Sequence, residues 1–230
     1  MVVVGGVTPL TTIDYPGELA AVIFLQGCPW RCGYCQNENL LSRNNDHVVP
    51  WQDVITLLDK RKGLLDAVVF SGGEPTLYKR LGDAMHQVKS MGYKIGLHTA
   101  GIYPERLYNI LPLVDWVGMD IKSARADYHR ITGVRGSGER AWESARILIS
   151  SGVAHEFRTT VHPEMLNKHQ LRNLIDELAE LGAECYVLQE CVTRHCLDDS
   201  RRTVTTEKLA VRQLNELGAR IINFSVRSVS

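Results

Sequence analysis

The 230-residue sequence lacks any apolar run long enough to cross a membrane and any excess of charge of one sign. A membrane-spanning helix needs about 20 apolar residues, and the opening MVVVGGVTPL has no charged start or cleavage pattern typical of a signal peptide. Lys plus Arg and Asp plus Glu each total 26, so the composition provides no long-range field for nucleic acid or anionic lipid. We therefore expect a soluble cytoplasmic protein that binds neither.

The sequence also lacks the cysteine pattern of a secreted disulfide framework, and it has no linker or low-complexity segment. Three of its six cysteines lie within eight residues, and the other three are spread near the carboxyl terminus. Such an uneven distribution favours metal or redox chemistry over stabilising disulfides. Because no break in composition divides the chain, we expect a single domain over residues 1–230.

Segments rich in β-branched residues alternate with amphipathic helical patterns. Strands are predicted over 19–25, 66–70, 94–98, 116–121, 156–161, 185–189 and 220–224. Helices are predicted over 51–61, 77–91, 104–111, 139–151, 167–181 and 205–217, with C-cap glycines at Gly152, Gly182 and Gly218. This alternation predicts an α/β fold with a mostly parallel sheet, either open or curled into an incomplete barrel of fewer than eight units.

The unusual residues of the sequence follow the predicted strands. Their positions are the cysteine loop at 26–37, SGGEP at 71–75, HTAG at 98–101, MDIK at 119–122, Arg158 and Gln189. The carboxyl ends of parallel strands meet at one rim, and the loops there converge on one mouth. We therefore expect these residues to form a single site.

The cysteine loop lies within the stretch LQGCPWRCGYCQN, residues 25–37, and places Cys28, Cys32 and Cys35 in a C-x3-C-x2-C pattern. A structural zinc site takes four ligands, usually from two C-x2-C pairs, so three thiols leave it one ligand short unless a remote residue completes it. Three thiolates can instead hold three irons of a [4Fe–4S] cluster, which leaves the fourth iron open to a small chelating molecule. The pattern favours the cluster, with zinc or inert buried cysteines as alternatives.

The SGGEP segment offers two glycines, whose backbone can approach a ligand closely, and the carboxylate of Glu74, which can pair with an amino group. An ordinary strand-to-helix turn is the alternative, since Gly and Pro are common in loops. Beside the cysteine loop, we interpret this segment as the binding site of an amino-acid ligand.

The pattern C-x3-C-x-aromatic-C, with Tyr34 as the aromatic residue, followed by GGEP, resembles that of the radical S-adenosylmethionine enzymes. The segments TTIDYPGELAAVIFLQGCPWRCGYCQN, DIK and YHRITGV are similar to those of activating enzymes of glycyl radical enzymes, a resemblance that extends to about Pro163. Within that group the chain is most similar to the activating protein of anaerobic ribonucleoside-triphosphate reductase. Pyruvate formate-lyase activases are close relatives.

This resemblance implies a partial (β/α)6 barrel in which a reduced [4Fe–4S] cluster cleaves S-adenosylmethionine to methionine and a 5′-deoxyadenosyl radical. It further implies removal of a hydrogen atom from a backbone glycine of a partner glycyl radical enzyme, with electrons from a donor such as flavodoxin or ferredoxin. A lateral gap left by six units favours a protein substrate. A small-molecule substrate, for example in deazapurine biosynthesis, is one alternative, and a non-enzymatic iron–sulfur or zinc protein is another.

By position, the resemblance implies that the cluster ligands are Cys28, Cys32 and Cys35. It also implies that S-adenosylmethionine is contacted by Tyr34, Gly72, Gly73, Glu74, Thr99, Asp120, Lys122 and Arg158. Among these, Tyr34 would lie near the adenine, and residues 72–74 would hold the amino group. Arg158 is expected to meet the carboxylate or ribose, with an ordinary salt bridge as the alternative.

Two features depart from the family pattern. In the pyruvate formate-lyase activase, residues at the positions of Thr99 and Asp120 help to hold a monovalent cation, but His98 stands where that enzyme has an acidic residue, which argues against the cation. The segment CYVLQECVTRHC adds Cys185, Cys191 and Cys196 in a spacing that matches no standard cluster motif. We interpret these three as buried thiols, with a second metal site or a redox-sensitive partner contact as alternatives.

Overall fold

The computed structural model describes residues 2–44, 48–162, 164–202, 218 and 220–227. Its strands form one sheet in chain order: β1 Val4–Thr11, β2 Ala20–Leu25, β3 Ala67–Gly72, β4 Lys94–Thr99, β5 Trp116–Asp120, β6 Ala154–Val161, β7 Cys185–Glu190 and β8 Asn223–Arg227. β1 is antiparallel to β2, and every later strand is parallel to the one before it. The predicted α/β fold with a mostly parallel, incomplete barrel sheet is confirmed.

Helices connect the parallel strands from β2 to β7, as expected for crossovers in a parallel sheet. They are α1 Trp51–Asp59, α2 Leu81–Ser90, α3 Pro104–Ile110, α4 Tyr128–Thr132, α5 Ser137–Ser151 and α6 Lys168–Leu181. Gly152 and Gly182 end α5 and α6 in the left-handed conformation, as predicted, with φ of 70° and 92°. The helix predicted over 205–217, which Gly218 would end, lies outside the described residues.

Alternation along the strands decides which residues meet inside the sheet. Residues 21, 23 and 25 of β2 and 68 and 70 of β3 belong to the large core under the helices, whereas 20, 22, 67 and 69 belong to a small separate cluster with Tyr15 and Trp116. Side chains two residues apart share a face. The face of the sheet that carries the small cluster becomes polar towards the carboxyl ends of the strands. Its polar residues there are Ser71, His98, Asp120, Arg158, Gln189 and Arg227.

The structure corrects several predicted boundaries. β1 was not predicted, because its sequence VGGVTPLT carries glycines and a proline, which an edge strand tolerates and a central strand does not. The helix predicted to begin at residue 77 begins at Leu81, because Pro75–Leu77 forms a 3-10 turn first. The last strand lies at Asn223–Arg227 and not at 220–224. No helix in the described part of the chain is both long and apolar enough to span a bilayer.

Candidate active site

A cavity of about 990 Å³ opens at the carboxyl ends of the parallel strands. The residues predicted for the site that line it are Cys28, Cys32, Tyr34, Cys35, Gly72, Gly73, Thr99, Asp120, Lys122, Arg158 and Gln189. They come from loops and strands as far apart in sequence as β2 and β7. The topology therefore brings together the predicted site residues at one mouth, except the side chain of Glu74.

The cysteine loop is held from three sides by hydrogen bonds to its backbone. The Glu74 N–H donates to the Gly27 carbonyl at 2.9 Å, and the Gly27 N–H donates to the Leu40 carbonyl at 2.7 Å. On the far side, the Arg31 N–H donates to the Thr132 carbonyl at the end of α4 at 3.0 Å. These contacts hold the backbone of the cysteine loop in place beside the cavity.

The segment YHRITGV has a structural role that its sequence alone did not reveal. It forms α4, and the Tyr128 ring meets the Trp30 ring of the cysteine loop edge-on, with centroids 5.7 Å apart. The Tyr128 hydroxyl also accepts the Lys122 N–H at 3.1 Å. The motif thus supports the cysteine loop and the DIK segment together.

The two glycines of SGGEP allow two backbones to pass at close range. Gly72 has a φ of 112°, and a Cβ there would lie 2.4 Å from the Leu25 nitrogen. A Cβ on Gly73 would lie 2.3 Å from the Gly27 carbonyl oxygen. The contacting atoms are backbone, which cannot rotate away. The glycine pair therefore sets the distance between the end of β3 and the cysteine loop.

The structure places the Glu74 carboxylate away from the cavity. The side chain is 0% exposed, and it accepts hydrogen bonds from the Thr76 N–H and hydroxyl at 3.0 and 2.6 Å. It also accepts from the Thr99 hydroxyl at 2.6 Å and the Ala100 N–H at 2.9 Å. The expected pairing of this carboxylate with a ligand amino group is therefore corrected. Glu74 joins the ends of β3 and β4, and the backbone of the two glycines faces the cavity.

Asp120 and Arg158 are neighbours in register across β5 and β6. Arg158 Nε donates to Asp120 Oδ1 at 3.0 Å, and Lys122 Nζ lies 3.4 Å from Oδ2. Although burial opposes ionisation, Arg158 and then Lys122 hold the pKa of Asp120 below its usual value. Gly118 makes room for this pairing, because a Cβ there would lie 2.8 Å from the guanidinium carbon. Asp120 and its two cationic partners therefore lie together on the rim.

His98 is neutral and fixed in one tautomer. Its Nε2 lies 2.8 Å from the Asp14 carbonyl, which only accepts, so Nε2 carries the proton and Nδ1 accepts from the Ser71 hydroxyl at 3.4 Å. Burial, followed by the charge of Arg158, lowers the pKa of His98 to about 3, while Asp120 opposes the shift and Arg227 adds to it.

We expect His98 to stay neutral from neutral pH down to about pH 5, where an unperturbed histidine would be largely protonated. Long-range proton–nitrogen NMR spectra of the cluster-free protein, recorded across this range, should keep the signature of an Nε2–H tautomer. Uptake of a proton with a midpoint near 6.5, the ordinary pKa of histidine, would contradict the assigned geometry.

The monovalent cation predicted from the resemblance would have to share the Asp120 carboxylate with two side-chain cations. Asp120 already has two cationic partners, and the Thr99 hydroxyl donates to Glu74. His98, which replaces an acidic residue of the related activase, contributes no charge. The cation stays a prediction from the resemblance, and Lys122 and Arg158 already supply positive charge beside Asp120.

The chemistry of the thiols fits metal ligation. Burial, followed by the nearby Glu74 carboxylate, raises the pKa of Cys28 to about 12, and burial raises the pKa of Cys32. Thiolates at these positions need a compensating positive charge, which iron supplies on binding. Within the described residues, no three His, Cys, Asp or Glu side chains converge closely enough to hold a single ion. The thiols border a wide cavity, which suits a four-iron cluster with its own bound ligand.

The Tyr34 hydroxyl also indicates a ligand-binding site, because it is buried and has no hydrogen-bond partner in the described part of the chain. Lys122 Nζ lies 5.6 Å from the centre of the Tyr34 ring. A buried polar atom without a partner is costly, so this group fits a site that a ligand completes.

Some cavity residues were missed from the sequence. Thr160, Glu190 and Arg227 also line the cavity, and Arg227 donates two hydrogen bonds of 2.9 Å to Glu156. The alternation of β6 indicates Thr160, two residues after Arg158. Arg227 was hidden because the predicted last strand stopped at residue 224.

A mostly parallel partial barrel with three thiols and a charged cluster at the carboxyl ends of its strands defines an α/β enzyme with a site for a thiolate-ligated cofactor. The chain belongs to the radical SAM superfamily, whose family model matches residues 22–178. It is therefore a radical SAM enzyme, and its cofactors are a [4Fe–4S] cluster and S-adenosylmethionine.

Several relatives match most or part of the chain. A Methanocaldococcus jannaschii protein provisionally named a glycyl-radical enzyme activating enzyme is 29% identical over 94% of this chain and 90% of its own length. The pyruvate formate-lyase-activating enzyme of Clostridium pasteurianum is 27% identical over 72% and 73%. The 7-carboxy-7-deazaguanine synthase of M. jannaschii is 32% identical, but over only 47% and 49%.

Among solved structures, Streptococcus suis SuiB bound to the precursor peptide SuiA superposes with a TM-score of 0.70 and 19% identity. The match covers 91% of this chain and 48% of SuiB, so the chain spans about half the length of that protein. At this identity the similarity concerns the fold alone.

Proposed function

We propose that this protein activates a glycyl radical enzyme by removing a hydrogen atom from a backbone glycine of that partner. The observation that carries the proposal is the match to the M. jannaschii relative named as such an activating enzyme, because it extends over nearly the whole of both chains. The named activating enzyme of C. pasteurianum supports the same reaction over about three quarters of each chain. Of the possible partners, we propose anaerobic ribonucleoside-triphosphate reductase.

The shape of the cavity mouth agrees with a protein substrate. The strands run from β1 to β8 in order, and no pairing closes the sheet between those two edges among the described residues. The turn after β1, where Ile13 is 82% exposed, lines the mouth. An apolar side chain beside an open edge suits contact with an extended peptide segment.

In the proposed mechanism, Cys28, Cys32 and Cys35 would hold the cluster. When bound, the cluster and S-adenosylmethionine would supply reductive cleavage of a sulfur–carbon bond and a 5′-deoxyadenosyl radical, with the electron from a donor of the flavodoxin or ferredoxin class. The chain itself would bind and orient the cofactor. The backbone at Gly72 and Gly73 would meet the amino group of the cofactor, and Tyr34 would lie beside its adenine.

The charged rim orients the other end of the cofactor in this proposal. Arg158 and Lys122 would face its carboxylate and ribose, while Asp120 keeps both cations in place through the contacts described above. Thr99 acts through Glu74, to which its hydroxyl donates. These pairings fix the positions of the charged groups that would contact the cofactor.

The decisive experiment mixes the reconstituted, reduced protein with S-adenosylmethionine and anaerobic ribonucleoside-triphosphate reductase. We expect 5′-deoxyadenosine together with a glycyl radical signal in electron paramagnetic resonance. A reductase whose radical-bearing glycine is replaced by alanine is the matched control and should give no such signal. Pyruvate formate-lyase, tested in parallel, decides between the two partners.

The partial match to 7-carboxy-7-deazaguanine synthase favours a second candidate, a radical SAM enzyme acting on a small molecule. It covers about half of each chain, so it carries less weight than the full-length match. Formation of 5′-deoxyadenosine without a glycyl radical on either partner would favour this candidate. Failure to form 5′-deoxyadenosine at all would contradict both candidates.

A further inference from the structure

The segment after β7 brings together two cysteines that the proposed reaction does not use. Cys191 Sγ lies 3.7 Å from Cys196 Sγ, and the two residues are 6% and 0% exposed. The 3-10 helix Thr193–His195 turns the chain between them, and the Cys196 N–H donates to the Thr193 carbonyl at 3.1 Å. Since a disulfide bond is about 2.05 Å long, the sulfur atoms need to approach each other by only about 1.7 Å.

The pair lies against the candidate active site. Glu190 and Val192, on either side of Cys191, line the cavity. Gln36 Nε2 lies 4.0 Å from Cys191 Sγ, and Gln36 directly follows the predicted cluster ligand Cys35 in the sequence. A covalent change at Cys191 therefore acts on a segment that contacts the cysteine loop.

We propose that Cys191 and Cys196 form a reversible disulfide when the protein meets an oxidising pool of small disulfides. The Cys191 thiolate attacks one sulfur of the small disulfide and releases one small thiol. Cys196 then attacks the Cys191 sulfur of the mixed disulfide and releases the second. The two cysteines lose two electrons and two protons, and the small disulfide gains both and becomes two thiols.

The roles of the two cysteines follow from their positions. Cys191 is the attacking residue because it retains some exposure and its neighbours border the cavity, whereas Cys196 is 0% exposed. Cys185, at the other end of β7, has no part in the reaction, because it lies six residues before Cys191 along an extended strand, about 20 Å from it. The inference is independent of the proposed glycyl radical activation.

Peptide mapping tests the pair directly. Trypsin cleaves after Arg172, Arg194 and Arg201, so Cys191 and Cys196 fall in separate peptides, 173–194 and 195–201. The cluster-loaded protein is equilibrated anaerobically with oxidised glutathione, alkylated under denaturing conditions and digested. We expect peptide 195–201 to be recovered linked to 173–194, and the link to be lost on reduction.

Variants identify the partners in this link. Because peptide 173–194 also contains Cys185, the Cys185→Ala variant is the matched control and should keep the link. Cys196→Ser should lose it and retain glutathione on Cys191. Alkylation of both thiols in the wild-type protein after equilibration would overturn the proposal, as would a link from peptide 195–201 to the cysteine loop. The wild-type result stands whether or not a variant folds.

Discussion

Replacement of Cys32 by alanine is expected to abolish both cluster assembly and cleavage of S-adenosylmethionine. Cys32 is the central thiol of the loop and lines the cavity between the other two in sequence. With two thiolates left, a cubane cluster loses one of the three irons that the protein anchors. Anaerobic reconstitution with iron and sulfide, followed by iron analysis, visible absorbance and an assay for 5′-deoxyadenosine, measures the effect.

The matched control is Cys185→Ala, which removes a half-buried thiol that lies at the start of β7, away from the cavity. It should assemble the cluster and cleave the cofactor as the wild-type protein does. A Cys32→Ala protein that still holds a complete cluster and produces 5′-deoxyadenosine would disprove the assignment of the three ligands.

Replacement of Gly73 by alanine is expected to abolish cluster binding, although Gly73 is not one of the three proposed cluster ligands. The new Cβ would lie 2.3 Å from the Gly27 carbonyl oxygen and 3.0 Å from that of Leu40. Since neither atom belongs to a flexible side chain, the cysteine loop must shift. We expect about 1–3 kcal/mol of lost stability from overpacking, together with a loss of most of the bound iron.

Gly6→Ala is the control for the Gly73 variant, because Gly6 lies in a strand and no atom comes within 4 Å of an added Cβ. Its stability should stay within about 0.5 kcal/mol of the wild type in urea unfolding. Normal iron content and normal stability in Gly73→Ala would contradict the close approach described above.

The placement of the site was predictable because the side chains belong to strand ends. Once strands and helices alternate, the carboxyl ends of parallel strands must share a rim, so Cys28, Asp120 and Arg158 were expected to meet. The structure puts all three on one cavity. Their approach depends only on the order and direction of the strands.

Side-chain direction was not predictable in the same way. From the sequence, the Glu74 carboxylate beside two glycines was predicted to pair with an amino group of a ligand. In the structure this carboxylate is buried and accepts hydrogen bonds from Thr76, Thr99 and Ala100. Whether a carboxylate binds a ligand or accepts hydrogen bonds from nearby protein groups depends on distances between segments, which a local sequence pattern does not encode. The contact between Cys191 and Cys196 was missed for a related reason, since a 3-10 turn between them decides whether two thiols meet.

The three-thiol loop, the alternation of strands and helices, and so the class of enzyme can be read from the sequence alone. These follow from ligand number and from hydrophobic periodicity, which are local properties of the chain. The folded structure was needed to show that Gly118 admits Arg158 beside Asp120, that α4 supports the cysteine loop, and that Glu74 faces inward. Each of these depends on close packing between segments far apart in sequence, where a difference of one ångström separates a contact from a clash.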